Sequence, residues 1–234
     1  MYISFHSKGV FIMPNLCSNK NIFWTSEAYF TEVNDFLDFC WTTLSDPDRP
    51  GYLRRPARVA DLLTAKGVTD IPCAGSVSSI DSMIRGFGNK IGFTLETYTP
   101  WGPEPETLKA LLKDYPHLHL AYLAEEPNLD VFLTNDKNGR FFKKAWKISV
   151  MVCDKGGDRR KALRLAYPNL PEDGIYHATE DEARTFFTTC FGVDCEKESP
   201  KHLMARGLAL KKSIREAFPD LDYVYVDFQH IQRI

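Results

Sequence analysis

Two adjacent glutamates, Glu125 and Glu126, stand directly before Pro127 at the end of the run HLHLAYLAEE. Paired carboxylates perform general acid–base chemistry, for example in glycoside hydrolysis. In a regular strand, neighbouring side chains point to opposite faces of the sheet, so these two carboxylates cannot act together on one substrate. We therefore predict a strand end followed by a proline turn. The alternative interpretation is that one of the two, Glu126 in preference to Glu125, accepts hydrogen bonds from a ligand or from the backbone.

Histidine and cysteine pairs are the candidates for a metal site. His117 and His119 are two positions apart and share one face of the same predicted strand, a spacing that can bind a metal. No third ligand follows nearby. Cys190 and Cys195 are separated by four residues and lack the second pair that a zinc site needs. We predict that the protein holds no metal and no cofactor.

Basic residues gather after the Asn138-Gly139 turn signal, partly on one predicted strand that also carries aromatic side chains. Together they could contact phosphates of a nucleic acid. The candidate contacts are Arg140, Lys143, Lys144, Lys147, Arg159 and Arg160. A solvated face whose lysines protect a sheet edge is the interpretation that we favour.

The composition sets limits on function. The chain has 234 residues, 44% of them hydrophobic, and a formal net charge of -2. This charge does not indicate attraction of the whole protein to nucleic acid or to an anionic membrane. No apolar run approaches the roughly 20 residues that span a bilayer. Six scattered cysteines favour reduced thiols, so we expect a cytoplasmic protein that does not contact the membrane.

The elements that carry these residues predict an α+β fold. Residues 20–150 indicate the order strand, helix, short helix, strand, strand, helix, strand, with a further hairpin at Asn138-Gly139. This is the split βαβ pattern of ferredoxin-like folds, an antiparallel sheet with helices on one face. In such a sheet we expect the fourth strand to return beside the second.

The remaining chain predicts a C-terminal α/β extension. Helices should begin at Thr179 and Ser199, which occupy N-cap positions, and a closing strand follows at residues 222–231. We divide the chain into three parts: an N-terminal extension (1–12), a ferredoxin-like domain (13–150) and an α+β extension that packs on it (151–234).

Several short motifs resemble one known family. They are MPNLCSN at 13–19, W-x-P at 101–103, YP at 115–116, Tyr122 in a strand, and EEP at 125–127. Their order and spacing resemble the uncharacterised YubB ferredoxin-like family of phages, plasmids and other mobile elements over about residues 13–150. The chain departs from that family at Leu16 and Asn128. The resemblance implies a fold and a mobile-element origin, and no established activity comes with it.

Three functions remain open from the sequence. The first is a non-enzymatic accessory protein that binds a host protein or a small ligand. Its candidate ligand-binding residues are Tyr98, Trp101, Tyr122, Glu125 and Glu126. The second is a nucleic-acid-binding accessory protein that uses the basic stretch 140–164. The third is an enzyme with a dispersed site near Tyr98, Trp101 and Glu126. Since P-loop, nucleophile-elbow, zincin and dinucleotide motifs are all missing, no catalytic residues are assigned and we favour the first.

Overall fold

The computed structural model describes residues 15–69, 75–100, 102–126, 131–153, 158–170, 173–192, 194–219 and 223–234. The chain forms two compact units. The first runs to Phe141 and includes Arg233–Ile234, and the second is Phe142–Gln232. Both units mix helices with antiparallel sheet, so the fold class is α+β, as predicted. Within the described residues, no helix is long and apolar enough to cross a membrane.

In its described residues, the first unit contains three α-helices, two short 3-10 helices and one sheet. Its elements are β1 (Leu16–Thr25), α1 (Phe30–Leu44), α2 (Val59–Ala65), β2 (Ser76–Ile80), β3 (Arg85–Phe87), β4 (Lys90–Pro100), α3 (Pro105–Ala110), β5 (His119–Glu126) and β6 (Val131–Thr134). A turn at Gly88 and Asn89 joins β3 to β4 as an antiparallel hairpin. The strand that contains the two glutamates ends at Glu126, as its pattern predicts.

The sheet of the first unit is built around β1. The strand order β6-β5-β1-β4-β2 places β4 and β5 on either side of β1, and both pair with it antiparallel. The expectation that the fourth strand lies beside the second is therefore wrong. Crossover connections are nearly always right-handed. Because β4 runs antiparallel to β1, a right-handed crossover that starts at β4 passes over β1. It therefore places β5 on the side of β1 that faces away from β4.

The part of the second unit that the structure describes contains three helices and a three-stranded sheet. Its elements are β7 (Trp146–Cys153), α4 (Asp158–Ala166), β8 (Gly174–Ala178), α5 (Glu180–Phe191), α6 (Pro200–Ala217) and β9 (Tyr223–His230). The strands pair antiparallel in the order β8-β7-β9. Both predicted N-caps are confirmed, since the Thr179 hydroxyl accepts from the Glu182 amide and the Ser199 hydroxyl from the His202 amide. A final short strand, β10 (Gln232–Arg233), lies beside β6.

The predicted hairpin at Asn138-Gly139 does not form. β6 pairs with β5, whereas β7 lies in the other sheet, and the strand expected from residue 140 begins only at Trp146. The Asp136 carboxylate accepts hydrogen bonds from the backbone amides of Arg140 and Phe141, at 3.1 and 2.7 Å. These bonds fold the segment onto Asp136, so both amides are unavailable to a strand partner.

The predicted boundary near residue 150 falls inside β7, and the chain divides earlier, between Phe141 and Phe142. The pairing of β7 explains this position. Both of its partners, β8 and β9, lie further along the chain, so β7 belongs to the sheet of the second unit. The predicted extension 1–12 lies outside the described residues.

Candidate ligand-binding site

One face of the first sheet changes from apolar to polar along its length. At one end, Phe23 of β1 and Phe93 of β4 are fully buried and pack with the helix residue Phe36. Side chains on the same face recur at every second position along a strand. The following same-face positions, beyond the apolar Leu95 on β4, are occupied by buried amides and hydroxyls. They are Asn21 and Asn19 on β1 and Thr97 and Thr99 on β4.

These amides and hydroxyls bond across the two strands. The amide nitrogen of Asn19 donates to the Thr99 hydroxyl at 2.8 Å and to the Cys17 carbonyl at 3.1 Å. The amide nitrogen of Asn21 donates to the Leu95 carbonyl at 3.0 Å. A backbone carbonyl can only accept, so the side-chain atom that faces it must be the NH₂ group. The orientation of both side-chain amides follows from this network.

A pocket lies over this polar row and extends to α3. It is narrow, with a cavity volume of about 10 Å³. Its hydrogen-bonding lining is contributed by two asparagines, three threonines, one tyrosine and one glutamate. They are Asn19, Asn21, Thr97, Thr99, Thr107, Tyr122 and Glu104. The space therefore suits a single small polar group, about the size of a water molecule.

Three polar side chains of the pocket have bonding capacity to spare. Asn21, Thr107 and Tyr122 are 2%, 5% and 6% exposed. Within the described part of the chain, neither the amide oxygen of Asn21 nor the hydroxyls of Thr107 and Tyr122 form a hydrogen bond. Burial also raises the pKa of the Tyr122 phenol, so it stays protonated at neutral pH. A ligand that enters the pocket meets ready hydrogen-bonding partners.

The predicted ligand-binding residues divide between the two faces of the sheet. Tyr122 lines the pocket, and Glu126, which is fully buried, lies on the same face of β5. Tyr98 and Glu125 both pair with Ser18 in the strand register and therefore lie on the opposite face. Trp101 lies outside the described residues. The two glutamates thus point away from each other, and Tyr98 and Glu126 do not share a face from which they could act together.

Burial and a neighbouring carboxylate raise the pKa of the Cys17 thiol, which lies beside Glu126. Cys17 is buried at the start of β1, on the face that carries Asn19. Burial, and after it the negative charge of Glu126, raises the pKa of the Cys17 thiol to about 11. The thiol is therefore protonated at neutral pH, and it contacts the side-chain oxygen of Asn19 at 3.4 Å. Cys17 extends the polar row and is not a nucleophile.

Most of the pocket residues were not predicted from the sequence. Asn19 belongs to the MPNLCSN motif, but no role follows for it or for Asn21, Thr97 and Thr107. Asparagine at alternate positions of a strand, directly before the apolar Ile22 and Phe23, is the signal that the sequence contains. Asparagine is depleted in strands, so its repetition on a buried face marks a site.

Comparison with known proteins adds no assignment. No family model matches the chain, and no curated protein matches it. A solved structure described as "Crystal Structure of an Unknown Protein from Galdieria sulphuraria" is similar at 9% sequence identity. The similarity covers 93% of this chain and 99% of that protein, with a TM-score of 0.26. This likeness supports no statement on fold or function.

The two candidate metal-binding histidines have other partners. The imidazole of His117 lies 2.8 Å from the Glu32 carboxylate. It also stacks on the ring of Tyr29, with 3.7 Å between the ring centroids. Desolvation by itself would raise the pKa of the Glu32 carboxyl, but its hydrogen bonds with His117 lower that pKa below its usual value. The ring of His119 packs against the ring of Trp24, with 4.6 Å between the ring centroids. Among the described residues, no group of three or more histidine, cysteine or acidic side chains could hold a metal ion.

The proposed nucleic-acid contacts do not form one stripe on a strand. Lys147 is 2% exposed, and Lys144 lies 2.5 Å from the Glu182 carboxylate, so neither presents a free charge to a phosphate. Lys143 is exposed and precedes β7. Arg140 is also exposed, but it belongs to the first unit. Arg159 and Arg160 lie in α4, and their side chains are outside the described part of the structure.

Proposed function

We propose that this chain is a non-enzymatic binding protein that holds one polar group of a small ligand in the pocket of its first unit. The observation that carries the proposal is the set of three almost fully buried polar groups, on Asn21, Thr107 and Tyr122, that line one pocket with bonding capacity to spare. Of the partners expected from the sequence, a host protein or a small ligand, the pocket favours the second.

The energetic reason is the cost of unsatisfied polar burial. A fully buried polar group without a hydrogen-bond partner costs about 1–3 kcal/mol, and a group that keeps some contact with water at the mouth of a pocket costs less. The polar face is built where the neighbouring positions on the same strands carry phenylalanine and leucine, so apolar side chains could have filled it. Departures of this kind from a well-packed apolar core are typical of functional sites. A ligand that completes the missing bonds would recover part of this cost.

The finer fold and the origin of the chain belong to the same proposal. The order β5-β1-β4-β2, with antiparallel neighbours throughout, supports a ferredoxin-like arrangement of the first unit. Cys17 and Asn19 of the MPNLCSN motif, together with Tyr122, lie at or beside the pocket. This clustering supports the resemblance to the YubB family. A mobile-element origin rests on that resemblance alone.

A cytoplasmic location is also part of the proposal. The structure describes the side chains of four cysteines, and all four are free thiols. They are Cys17, Cys40, Cys190 and Cys195. Disulfides rarely form in the reducing cytosol, whereas proteins of oxidising compartments commonly contain them.

Ligand screening by thermal shift tests the proposed site. We expect small polar compounds to raise the melting temperature, and Thr107→Val or Tyr122→Phe, which remove one hydroxyl each, to abolish the increase. Thr42→Val, at an exposed position of α1, is the matched control and should respond like the unmodified protein. Stabilisation that survives both pocket variants would place the binding site elsewhere and contradict the proposal.

A further inference from the structure

We infer that the polar group held in this pocket is a hydroxyl, so that the ligand of the proposed site is a small alcohol. This inference rests on the proposed function and names the ligand class for that site. It follows from three features of the pocket, namely its free volume, the hydrogen-bonding atoms that it leaves available, and the cost of bringing a charge into it.

The free volume of the pocket limits the size of the group that enters. A cavity volume of about 10 Å³ corresponds to about one water molecule. Carboxylate, primary amide and phosphate groups each hold several non-hydrogen atoms together, so they do not fit. A hydroxyl, an amine or the tip of a nitrile presents a single non-hydrogen atom and does fit.

The available atoms require a group that both donates and accepts. The amide nitrogen of Asn21 donates to the Leu95 carbonyl and the Thr97 hydroxyl, so the amide oxygen remains, and it can only accept. The hydroxyls of Thr107 and Tyr122 carry hydrogens that they can donate. A hydroxyl of the ligand donates to Asn21 and accepts from Thr107 or Tyr122. A nitrile has no hydrogen for Asn21, and an ammonium group has no lone pair for the two hydroxyls.

These three groups come from three elements that meet at the pocket. Asn21 of β1 and Tyr122 of β5 are opposite each other in the strand register, and Thr107 of α3 lines the same space. Pro103 and Pro105 add apolar surface that is partly exposed. We therefore place the hydroxyl among the three polar groups and the hydrocarbon part of the alcohol against the two prolines.

The pocket disfavours a charged group. Burial raises the pKa of the Tyr122 phenol, because desolvation penalises the phenolate. The same desolvation acts on an ammonium group that enters beside Tyr122. A neutral hydroxyl avoids this penalty and still forms hydrogen bonds of both kinds.

Three probes of equal size separate the chemistries. They are ethanol, ethylammonium and acetonitrile, titrated at pH 7 and constant ionic strength. The side-chain NH₂ resonances of Asn21 report binding by NMR. We expect ethanol to shift them saturably and the other two probes to bind about fivefold more weakly, the equivalent of one net hydrogen bond. If the Glu104 carboxylate instead draws a cation into the pocket, ethylammonium will bind at least as tightly as ethanol.

That result, or acetonitrile binding as tightly as ethanol, would overturn the inference and leave the proposed site intact. No shift of the Asn21 resonances with any of the three probes would overturn both, and the space would then hold solvent alone.

Two variants test the bonds of the ligand hydroxyl. Thr107→Val and Tyr122→Phe each remove one hydroxyl of the pocket, and each should weaken ethanol binding about fivefold. Thr42→Val, at an exposed position of α1, should leave the affinity for ethanol unchanged. Unchanged affinity in both pocket variants would show that ethanol binds elsewhere and would overturn the inference. If neither pocket variant folds, the comparison of the three probes on the unmodified protein decides.

Discussion

The side-chain amide nitrogen of Asn19 lies 2.8 Å from the hydroxyl oxygen of Thr99, on neighbouring strands of the first sheet. The two residues are 80 positions apart in the chain, and both are buried. Thr99 in turn donates to the carbonyl of Gly102 at 2.6 Å. This relay connects the β1–β4 pair to the segment that leads into α3, and so it fixes one wall of the pocket.

A double-mutant cycle measures this connection. Thr99→Val keeps the shape of the side chain but removes the hydroxyl, so a buried amide hydrogen of Asn19 loses its acceptor. We expect the free energy of unfolding in urea to fall by about 1–3 kcal/mol. Replacing Asn19 by leucine in the Thr99→Val background should cost less than it does in the unmodified chain, because the two side chains interact. Additive effects of the two changes would show that the bond contributes nothing. Thr42→Val serves as the exposed control.

Cys17 should be unreactive in the folded protein. Its pKa of about 11 leaves almost no thiolate at pH 8, and burial blocks access. We expect alkylation by iodoacetamide, followed by mass spectrometry, to modify Cys17 only after unfolding. Glu126→Gln removes a charge that raises this pKa, so the pH at which Cys17 reacts should fall. Rapid modification of Cys17 at pH 8 in the native protein would contradict a buried, protonated thiol.

Gly207 in α6 should not tolerate a larger side chain. A Cβ atom at this position would come within 2.5 Å of the ring of Phe228, which is buried in the second unit. We expect Gly207→Ala to lower the free energy of unfolding by about 1–3 kcal/mol, the usual cost of overpacking, reduced by the higher helix propensity of alanine. Leu208→Ala, at the neighbouring exposed position, is the control and should have little effect. A Gly207→Ala protein that is more stable than the unmodified protein would show that α6 and β9 are less closely packed than the structure indicates.

Glu180 should make the stability of the second unit depend on pH. Its carboxylate bonds with the indole nitrogen of Trp146 at 2.8 Å and with the imidazole of His230 at 2.6 Å. Desolvation by itself would raise the pKa of Glu180, but these two bonds lower that pKa below its ordinary value of 4.5. Because its folded pKa is lowered, Glu180 stabilises the fold above the unfolded pKa, and this contribution is lost as the pH falls through the folded pKa.

Urea titrations at several pH values check this expectation. The free energy of unfolding should fall below about pH 4.5, and Glu180→Gln should have a flatter profile in that range. The exposed Glu196→Gln should follow the unmodified protein. Identical profiles for the protein and for Glu180→Gln would count against a contribution from this carboxylate.

Nucleic-acid binding should be weak and non-specific. Lys147 is buried and Lys144 is paired with Glu182, so few free charges of the predicted set remain. We expect no complex in the sub-micromolar range with DNA or RNA at physiological salt. If such a complex forms, its affinity should fall steeply with salt, and Lys143→Ala with Lys144→Ala should flatten the slope by about one for each phosphate that is no longer neutralised. That result would establish the nucleic-acid alternative.

Local patterns in the sequence determine the elements and the faces of the strands. Alternation along β5 separates Glu125 from Glu126, and the side chains at Thr179 and Ser199 are sufficient to begin α5 and α6. These features depend on neighbours within four residues, where side-chain direction and capping bonds are set by the backbone geometry itself.

The tertiary structure decided which strands pair and where the pocket lies. The turn signal at Asn138-Gly139 indicates a hairpin, yet Asp136 takes up the backbone amides that follow, and β7 pairs with β8 and β9 instead. The pocket joins Asn21 of β1, Thr107 of α3 and Tyr122 of β5, which are distant in the chain. A strand shows its apolar face in the sequence but not its partner. The partner is selected by backbone hydrogen bonds and burial between distant segments, and the site exists only after that selection.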